Sequence, residues 1–292
     1  MLLEVEKTDM KVILSRKGFD SKYGGKPSPI LPDGRLVSFP IPNEKDTVSY
    51  DDLNLEDGKT YFDLMNELGI DHVLDGKNKR IPLLGAHCHL DPDIYRSVLP
   101  RDRNWKPLFG QIDKAQSHLK NMCVRVDDLF LFFGWFKRTG YRNGKIVFVQ
   151  NTPDLHIIFG YMQIGEIKKV DFLTDLDEWM QYHPHVKSEE RKMDKTNNTL
   201  YVARDKLSFN ENLSGAGSFS FNKRLVLTKD GFSRSMWDLD PKIFQDSIIS
   251  HHPKPWKEGY FQSASIGQEF VIQKNDKTEN WAKDLINSSY TS

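Results

Sequence analysis

The sequence predicts an α+β fold whose core is a small β-barrel or strongly curled sheet, elaborated by N-terminal and C-terminal segments. Residues 129–136 form a nearly continuous aromatic and aliphatic run, and further apolar stretches of strand length follow closely. Apolar side chains recur at helical spacing mainly before and after this region. Short strands that follow one another closely pair as neighbours and curl, so we expect a barrel here.

The N-terminal part of the chain is predicted to contain short strands and two helices. Residues 11–14 form a short, mainly apolar segment of strand length. Residues 36–41 are typical of an edge strand, because the prolines around their end lack the N–H group that a sheet interior requires. Apolar side chains three positions apart in residues 59–68 predict a helix that ends at Gly69. Residues 112–122 predict a second short helix.

From residue 124 onward the pattern is mainly that of strands. The long segment 155–167 is predicted to bend at Gly160 or Gly165, where no side chain obstructs a bulge. Residues 187–198 are charged and polar, and we expect them to form an exposed excursion. Residues 277–287 place apolar side chains on one helical face, which predicts a C-terminal packing helix. The other predicted strands are residues 129–136, 145–150, 199–204, 224–228 and 270–273.

The length of 292 residues permits one large domain or two closely packed ones. We expect residues 1–123 to form an N-terminal region of strands, loops and helices, residues 124–230 to form the barrel, and residues 231–292 to form a C-terminal extension. No Gly/Ser-rich linker separates these regions, so they are predicted to pack as one compact unit.

Charge and cysteine content exclude several classes of protein. The chain has 41 lysines and arginines against 41 aspartates and glutamates, and this zero net charge argues against a protein that coats nucleic acid by charge alone. Two cysteines, Cys88 and Cys123, are too few for a disulfide framework or a four-thiolate zinc site. No secretory signal and no membrane-spanning apolar run is visible, so we expect a cytoplasmic protein with free thiols and no membrane partner.

Two segments in the middle of the chain resemble the central strands of PUA-like domains, the group that contains the EVE and ASCH families. The first has an acidic turn before a strand that ends in aromatic residues, and the second is a glycine-bearing strand suited to pair with it: residues 127–136 and 156–167. The resemblance implies that the core is a PUA-like β-barrel. It also implies a pocket that receives a nucleobase.

A wider set of motifs resembles the family called nucleotide modification associated domain 3. These motifs are Ser15-Arg16-Lys17-Gly18-Phe19-Asp20, Gly24-Gly25, Pro27-Ser28-Pro29-Ile30, Pro32-Asp33-Gly34, His89-Leu90-Asp91-Pro92-Asp93 and Asn198-Thr199-Leu200-Tyr201-Val202-Ala203. The resemblance implies an association with modified nucleotides in DNA or RNA.

Arg16, Lys17, Gly24 and Gly25 are the candidate phosphate-binding residues. Two cations after a strand, followed by a glycine pair, can hold a phosphate through side-chain forks and exposed backbone N–H groups. Asp20 can orient Arg16 or act as a catalytic carboxylate. The alternative is a solvent-exposed pair of cations before a structural turn.

His87, His89 and Asp91 are the candidate catalytic residues, together with Asp20. In an extended segment, alternating His and Asp side chains project to one side, and such ligands suit zinc, manganese or iron. Further ligands would come from residues 183–185 or 251–252. A structural loop with local hydrogen bonds is the favoured alternative, and we therefore expect no cofactor. His87 and His89 remain candidate general bases.

Phe133, Trp135, Tyr161 and Gln163 are the candidate base-binding residues. Aromatic side chains stack on any base, so a neighbouring amide is needed to read the edge of the base. Most aromatic residues of segment 129–136 are nevertheless expected in the core, because large apolar side chains are usually buried.

These observations favour a protein that binds a nucleotide or a modified base in DNA or RNA. The first alternative is an enzyme that modifies or cleaves a nucleotide or nucleic acid through the Asp and His residues named above. The second is a protein-interaction subunit of a modification or defence system, with other proteins of that system as its partners.

Overall fold

The computed structural model describes residues 10–193, 197–265, 267–273 and 275–290. Its helices are α1 (Tyr61–Glu67), α2 (Asp113–Asn121), α3 (Pro184–Lys187), α4 (Pro241–Phe244) and α5 (Asp276–Ser289). Its strands are β1 (Val12–Arg16), β2 (Ser28–Ile30), β3 (Ile41–Pro42), β4 (Val48–Ser49), β5 (His72–Leu74), β6 (Arg80–Pro82), β7 (His87–His89), β8 (Leu108–Gln111), β9 (Leu129–Arg142), β10 (Lys145–Phe148), β11 (Leu155–Lys169), β12 (Thr199–Ala203), β13 (Lys206–Leu207), β14 (Asn210–Ser214), β15 (Ala216–Ser218), β16 (Met236–Trp237), β17 (Trp256–Lys257), β18 (Tyr260–Gln262) and β19 (Glu269–Ile272).

One large mixed sheet organises the molecule. Its main path runs β19-β1-β9-β11-β12-β8, with β2, β10 and β15 paired at its sides. The two longest strands, β9 and β11, pair antiparallel at its centre, whereas β1 runs parallel to β9. The sheet therefore draws strands from the N-terminal, central and C-terminal parts of the chain. The predicted boundaries after residues 123 and 230 stay predictions.

The PUA-like barrel predicted for residues 124–230 is not confirmed, although the mixed helix and strand content is. Within the part of the chain that the structure describes, the main sheet is open, with β19 at one edge and β8 at the other. The physical reason is that the edge of β9 that faces away from β11 is already paired. Strand β1 from the N-terminus occupies that side, and β19 extends the sheet beyond β1, so the central strands do not close on one another.

Strand β11 is bent at both positions that its glycines indicated. Its register against β9 shifts between Ile158 and Gly160, and its register against β12 shifts between Ile164 and Glu166. A Cβ atom at Gly160 would lie 2.4 Å from the Ile94 side chain, so this bend also brings a neighbour close to the backbone. The two bulges curl the sheet without closing it.

Two aromatic-rich cores hold the fold together. The larger lies on the main sheet and includes Phe130, Phe132 and the buried face of α5. The smaller lies beneath α1 and includes Phe39 and Tyr50. Each fully buried large apolar side chain contributes about 1.5–3 kcal/mol to stability, so both cores are substantial. The cavities described below lie where the C-terminal end of β1 meets these two cores.

Several predicted elements are confirmed. Helix α1 begins after Thr60, whose side chain and Asp63 form a reciprocal cap, and Gly69 follows the helix with a φ of 72°. Helices α2 and α5 lie at the predicted positions. The predicted exposed excursion falls partly on residues 194–196, which lie outside the described residues, and Asn198 at its end is buried.

Two predicted strands are wrong. Residues 36–41 contribute only an isolated bridge from Leu36 to Ile30, and the strand begins at Ile41, because Pro40 interrupts the run of N–H donors. Residues 224–228 begin in the 3-10 turn Lys223–Leu225, where the Asn222 side chain accepts from the Arg224 amide. None of the described helices has the length and apolar character needed to cross a membrane.

Candidate functional site

The first of two adjoining cavities, here called the tryptophan cavity, lies at the C-terminal end of β1. It has a volume of about 430 Å³, and its walls include Arg16, Trp135, His156 and Arg234. All four of these side chains carry a nitrogen-bound hydrogen, and two of them are cationic. The cavity thus combines positive charge with an aromatic surface.

The second cavity, here called the histidine cavity, has a volume of about 320 Å³. Its walls include His89, Asp91 and His185. Arg16 and Asp20 line both cavities, so the two are neighbours that meet at these residues. The structure therefore brings Arg16, Asp20, His89 and Asp91 of the predicted site into one region, although they are far apart in the sequence.

Strand register explains how the tryptophan cavity is built. Arg16 pairs with Phe133 across β1 and β9, and Trp135 pairs with His156 across β9 and β11. Paired residues point to the same face of a sheet, as do residues two apart on one strand. Arg16, Trp135 and His156 consequently project from one face at adjacent positions.

The guanidinium group of Arg16 is held by carbonyl oxygens and aromatic rings. Its Nη2 donates to the Ala264 carbonyl at 2.5 Å and its Nη1 to the Ser265 carbonyl at 3.3 Å. Its Cζ lies 5.3 Å from the Phe270 ring centroid and 5.8 Å from that of Phe133. Within the described residues no carboxylate oxygen lies within 4.0 Å of this group. Its positive charge is therefore held in place without being neutralised by an ion pair.

Arg234 supplies a second cation to the same cavity. Its Cζ lies 3.9 Å from the centroid of the Trp135 ring, and its Nη2 donates to Ser21 Oγ at 2.5 Å. Burial lowers the pKa of both Arg16 and Arg234; the charge of Asp20 opposes this at both residues, and at Arg16 the charge of Arg234 adds to the lowering. Arg234 also lacks an ion pair with a carboxylate among the described residues. Two arginines that repel each other thus face one cavity.

Unused hydrogen-bond donors surround these arginines. The buried Nε of Arg16 and the buried Oγ of Ser263 have no hydrogen-bond partner in the part of the chain that the structure describes. His156 Nδ1 accepts from Trp237 Nε1 at 3.0 Å, which places the hydrogen of the neutral ring on Nε2. Burial holds the pKa of His156 well below its usual value, and Arg16 and Arg234 reinforce the effect. A buried donor without an acceptor is costly.

Lys17 is already engaged by a carboxylate. Its Nζ lies 2.8 Å from Glu269 Oε1 and 4.3 Å from the centroid of the Phe109 ring, and both members of the ion pair are buried. The same Glu269 oxygen accepts from Gln111 Nε2 at 2.7 Å. Lys17 lines the histidine cavity, but its charge is neutralised in this structure.

Gly24 and Gly25 shape a turn whose amides are occupied. The Gly24 N–H donates to the Leu74 carbonyl at 2.8 Å, and the Gly25 N–H donates to the Asp20 carbonyl at 3.0 Å. A Cβ atom at Gly24 would lie 2.1 Å from the ring of Phe19. Asp20 itself accepts two backbone N–H groups of this turn at 2.7 Å through Oδ1. The observed role of the glycines is thus to let the turn pack closely.

His89 is oriented by a buried carboxylate. It is the last residue of β7, and its Nδ1 lies 2.7 Å from Asp46 Oδ2. Asp46 also accepts from Asn43 Nδ2 and Arg191 Nη1, each at 2.8 Å. Burial alone would raise the pKa of Asp46, but the hydrogen bonds from His89 and Arg191 outweigh it and lower this pKa to about 2. His89 therefore donates through Nδ1 and keeps Nε2 for the cavity.

His185 is oriented in the same way by an amide. Its Nδ1 lies 2.7 Å from Asn198 Oδ1, while Asn198 Nδ2 donates to the His185 carbonyl at 2.8 Å and fixes which end of the amide faces the ring. Burial lowers the pKa of His185 to about 3, so the ring is neutral at physiological pH. Its Nε2 lies 4.0 Å from Asp91 Oδ2.

Asp91 completes a cluster of three potential metal ligands. One ligand atom from each of His89, Asp91 and His185 lies within 4.8 Å of the other two. Burial raises the pKa of Asp91, but His183, His185 and His89 outweigh this effect and lower it to about 2. Asp91 Oδ1 also accepts the Gly110 amide at 2.8 Å. Two imidazoles and a carboxylate form a donor set suited to a divalent transition metal.

The other histidine and aspartate residues of the predicted cluster lie elsewhere. His87 is on β7 but does not line the histidine cavity, and Asp93 forms a buried ion pair with Arg101 at 2.5 Å. His252 Nε2 accepts the Ala264 amide, and His251 packs against His118. Residues 251 and 252 are therefore not ligands of the cluster, whereas residue 185 is close enough to be one.

The predicted base-binding residues occupy two different environments. Trp135 lines the tryptophan cavity, whereas Phe133 and Tyr161 are at most 1% exposed and pack in the core. Gln163 is also buried, and its amide bridges the Asp127 carbonyl and Ser208. A base pocket made of all four residues stays a prediction, and in this conformation only Trp135 faces the cavity.

Sequence reasoning missed Arg234, His156 and Ser263. Arg234 comes from a loop after Gly231 that carries no motif, and Ser263 lies in a polar stretch that carries no motif either. His156 could have been found, because it begins the second of the two resembling strands. Its pairing with Trp135 follows once these strands are aligned as neighbours.

Comparison with known proteins supports one of the two resemblances. The family model described as nucleotide modification associated domain 3 matches residues 11–273, which include both cavities. No curated protein and no solved structure matches the chain. Because the match spans nearly all of the sequence, the chain belongs to the nucleotide modification associated domain 3 family.

Proposed function

We propose that this chain binds a nucleotide, free or within DNA or RNA, with a phosphate between Arg16 and Arg234 in the tryptophan cavity. The observation that carries the proposal is that both arginines line this one cavity and neither forms an ion pair with a carboxylate in the described residues. The family is one associated with nucleotide modification, so a nucleotide is the anion that fits both the site and the family.

The charges of the cavity favour a phosphate. A guanidinium group offers several donors in a fixed fork that matches phosphate oxygens, and charge-assisted hydrogen bonds of this kind are among the strongest in proteins. His156, whose Nδ1 accepts from Trp237 Nε1, keeps an Nε2 donor on the same wall of the cavity. A phosphate would also remove the repulsion between the two arginines.

Trp135 favours a base next to this phosphate, stacked on the ring face that Arg234 does not cover. Stacking of a base on an aromatic side chain is worth about 1–3 kcal/mol and accepts any base. Trp135 Nε1 donates to Asp154 Oδ1 at 2.9 Å, so the ring is fixed in position. A cavity of about 430 Å³ lies within the usual size range of small-molecule sites.

A second candidate function is an enzyme that acts on the bound nucleotide. The observation that favours it is the His89, Asp91 and His185 cluster in the adjoining cavity, which shares Arg16 and Asp20 with the tryptophan cavity. The two candidates are compatible, since binding at the arginines would precede any reaction.

Calorimetric titration with nucleoside monophosphates and short oligonucleotides, each with unmodified and modified bases, tests the proposal. Arg234→Gln removes one cation, and we expect its affinity to fall about tenfold or more, because hydrogen bonds to charged groups are worth about 1.5–3 kcal/mol. Arg224→Gln is the matched control, since Arg224 is exposed and lines neither cavity. Equal losses in both variants, or no binding by the unaltered chain at low salt, would contradict the proposal.

A further inference from the structure

We propose that His89, Asp91 and His185 bind one divalent transition-metal ion in the histidine cavity, through the two Nε2 atoms and the carboxylate. The ion would be Zn²⁺, Mn²⁺ or Fe²⁺. The inference goes beyond nucleotide binding and does not depend on it, because it concerns different side chains in a different cavity.

The distances suit a shared ion. Metal–nitrogen and metal–oxygen bonds of about 2.0–2.2 Å place neighbouring ligand atoms roughly 3–4 Å apart. The three ligand atoms lie within 4.8 Å of one another, and the His185 Nε2 to Asp91 Oδ2 distance is 4.0 Å. Small side-chain adjustments would therefore bring all three to bonding distance of one centre.

The hydrogen bonds on the far side of each ring leave only lone pairs facing the centre. Asn198 accepts from His185 Nδ1, and Asp46 accepts from His89 Nδ1, so neither ring needs a proton on Nε2. The two Nε2 atoms and the Asp91 carboxylate are therefore three hydrogen-bond acceptors. They face one another, and no donor lies between them. A cation resolves this arrangement, and outer partners of this type commonly orient metal-bound histidines.

His183 lies directly beside the carboxylate of the cluster. Its ring is fully buried, and its Nε2 has no hydrogen-bond partner among the described residues. This nitrogen lies 3.5 Å from Asp91 Oδ1, and Nδ1 of the same ring accepts the His185 amide at 3.3 Å. With its hydrogen on Nε2, His183 points toward Asp91 as a positioning residue, and it tightens onto the carboxylate once the ligand geometry forms.

The donor set selects the class of ion. Magnesium and calcium prefer sites built from oxygen alone, whereas two imidazoles favour zinc, manganese or iron. Three protein ligands leave coordination positions open, as in catalytic rather than structural sites. These positions would face the cavity wall that carries Arg16 and Asp20.

Metal binding by the full chain, without nucleotide, tests the inference. The protein is stripped with a chelator, and dialysis against Zn²⁺, Mn²⁺ or, without oxygen, Fe²⁺ is followed by elemental analysis. We expect one equivalent of at least one ion, with affinity lowered about 10–100-fold or more in His185→Ala and in Asp91→Asn. Asn198→Ala tests the orienting role and is expected to weaken binding by about tenfold.

His87→Ala is the matched control, because His87 lies two residues from His89 on β7 but outside the cavity. Its metal affinity should be unchanged. Absence of stoichiometric binding, or equal binding by the unaltered chain, His185→Ala and Asp91→Asn, would overturn the inference. Circular dichroism confirms that each variant is folded, and Asp91→Asn keeps the shape of the side chain if His185→Ala fails to fold. Arg234→Gln should bind the ion normally, which separates this outcome from failure of the proposed nucleotide site.

Discussion

Arg16 is the residue on which both cavities depend. Adjacent residues on a strand point to opposite faces, so the neighbouring cations Arg16 and Lys17 diverge. Lys17 meets Glu269 and becomes neutralised, whereas Arg16 meets two carbonyl oxygens and two aromatic rings. A carbonyl oxygen orients a guanidinium group without cancelling its charge. Lys17 is therefore a structural cation, whereas Arg16 is a candidate binding cation. Their partners make this difference, which residue type alone does not reveal.

His156 predicts a specific pH dependence of stability. Its pKa in the folded chain is held well below the usual value by burial and by Arg16 and Arg234, so only the unfolded chain takes up a proton as the pH falls below about 6.5. The stabilisation is therefore present above that pH and is lost below it. Between pH 7 and pH 5, this residue should therefore lower the free energy of unfolding.

Denaturant unfolding at the two pH values checks this prediction. His156→Gln removes the titrating group, and we expect its free energy of unfolding to fall less than that of the unaltered chain over the same interval. Identical pH profiles for both proteins would show that His156 is not held neutral.

At the scale of elements, the turn after β1 determines where Asp20 lies. Gly24 and Gly25 both have positive φ angles, of 79° and 74°, and their amides close the turn onto its neighbours. The ring of Phe19 fills the space beside Gly24 and belongs to the smaller core. The turn therefore connects that core to the shared wall of the two cavities.

Gly24→Ala should destabilise the fold more than Gly58→Ala. Both positions have nearly the same φ, 79° and 81°, and so share the strain of a left-handed conformation. Only Gly24 has a neighbour that a Cβ would meet, the Phe19 ring at 2.1 Å, whereas Gly58 has nothing within 4 Å. Overpacking typically costs about 1–3 kcal/mol, and we expect a difference of this size in chemical denaturation. Equal destabilisation would mean that Phe19 moves aside freely.

Elements with local causes were predictable from the sequence, whereas their arrangement was not. The cap at Thr60 and the glycines of β11 act through nearby residues, so α1 and the two bulges were identified correctly. The barrel prediction failed because it paired only strands that are neighbours in sequence. In the main sheet, Val12 of β1 pairs with Leu129 of β9 and with Ile272 of β19. No local sequence pattern indicates pairings between residues so far apart in the chain.

The same distinction applies to the candidate site. His89 and Asp91 lie two residues apart on one extended segment and were predicted together. His185 was considered only as one of several distant ligands, and Arg234 was not considered, because each reaches its cavity through tertiary packing. A single sequence indicates the chemistry of such residues but not which distant partner completes the site.

At the scale of the whole molecule, the balance of 41 positive and 41 negative residues suits a pocket that selects one nucleotide. A surface that coats nucleic acid would contact many phosphates and lose affinity steeply with salt. One phosphate held between the two arginines corresponds to about one phosphate contact, so the logarithm of the affinity for a single-stranded oligonucleotide should fall against the logarithm of the salt concentration with a slope of about −0.7. Fluorescence anisotropy over a salt series measures this slope. A slope several times steeper would indicate a wider basic surface and contradict the pocket.

The position of a bound nucleotide is the most direct test of the account. Crystals of the chain with 5-bromo-deoxyuridine monophosphate would locate the base by the anomalous signal of bromine and the phosphate by its density. The account predicts the phosphate between Arg16 and Arg234 and the bromine beside Trp135 in the tryptophan cavity. A nucleotide bound elsewhere on the molecule, with both arginines left as they are here, would contradict it.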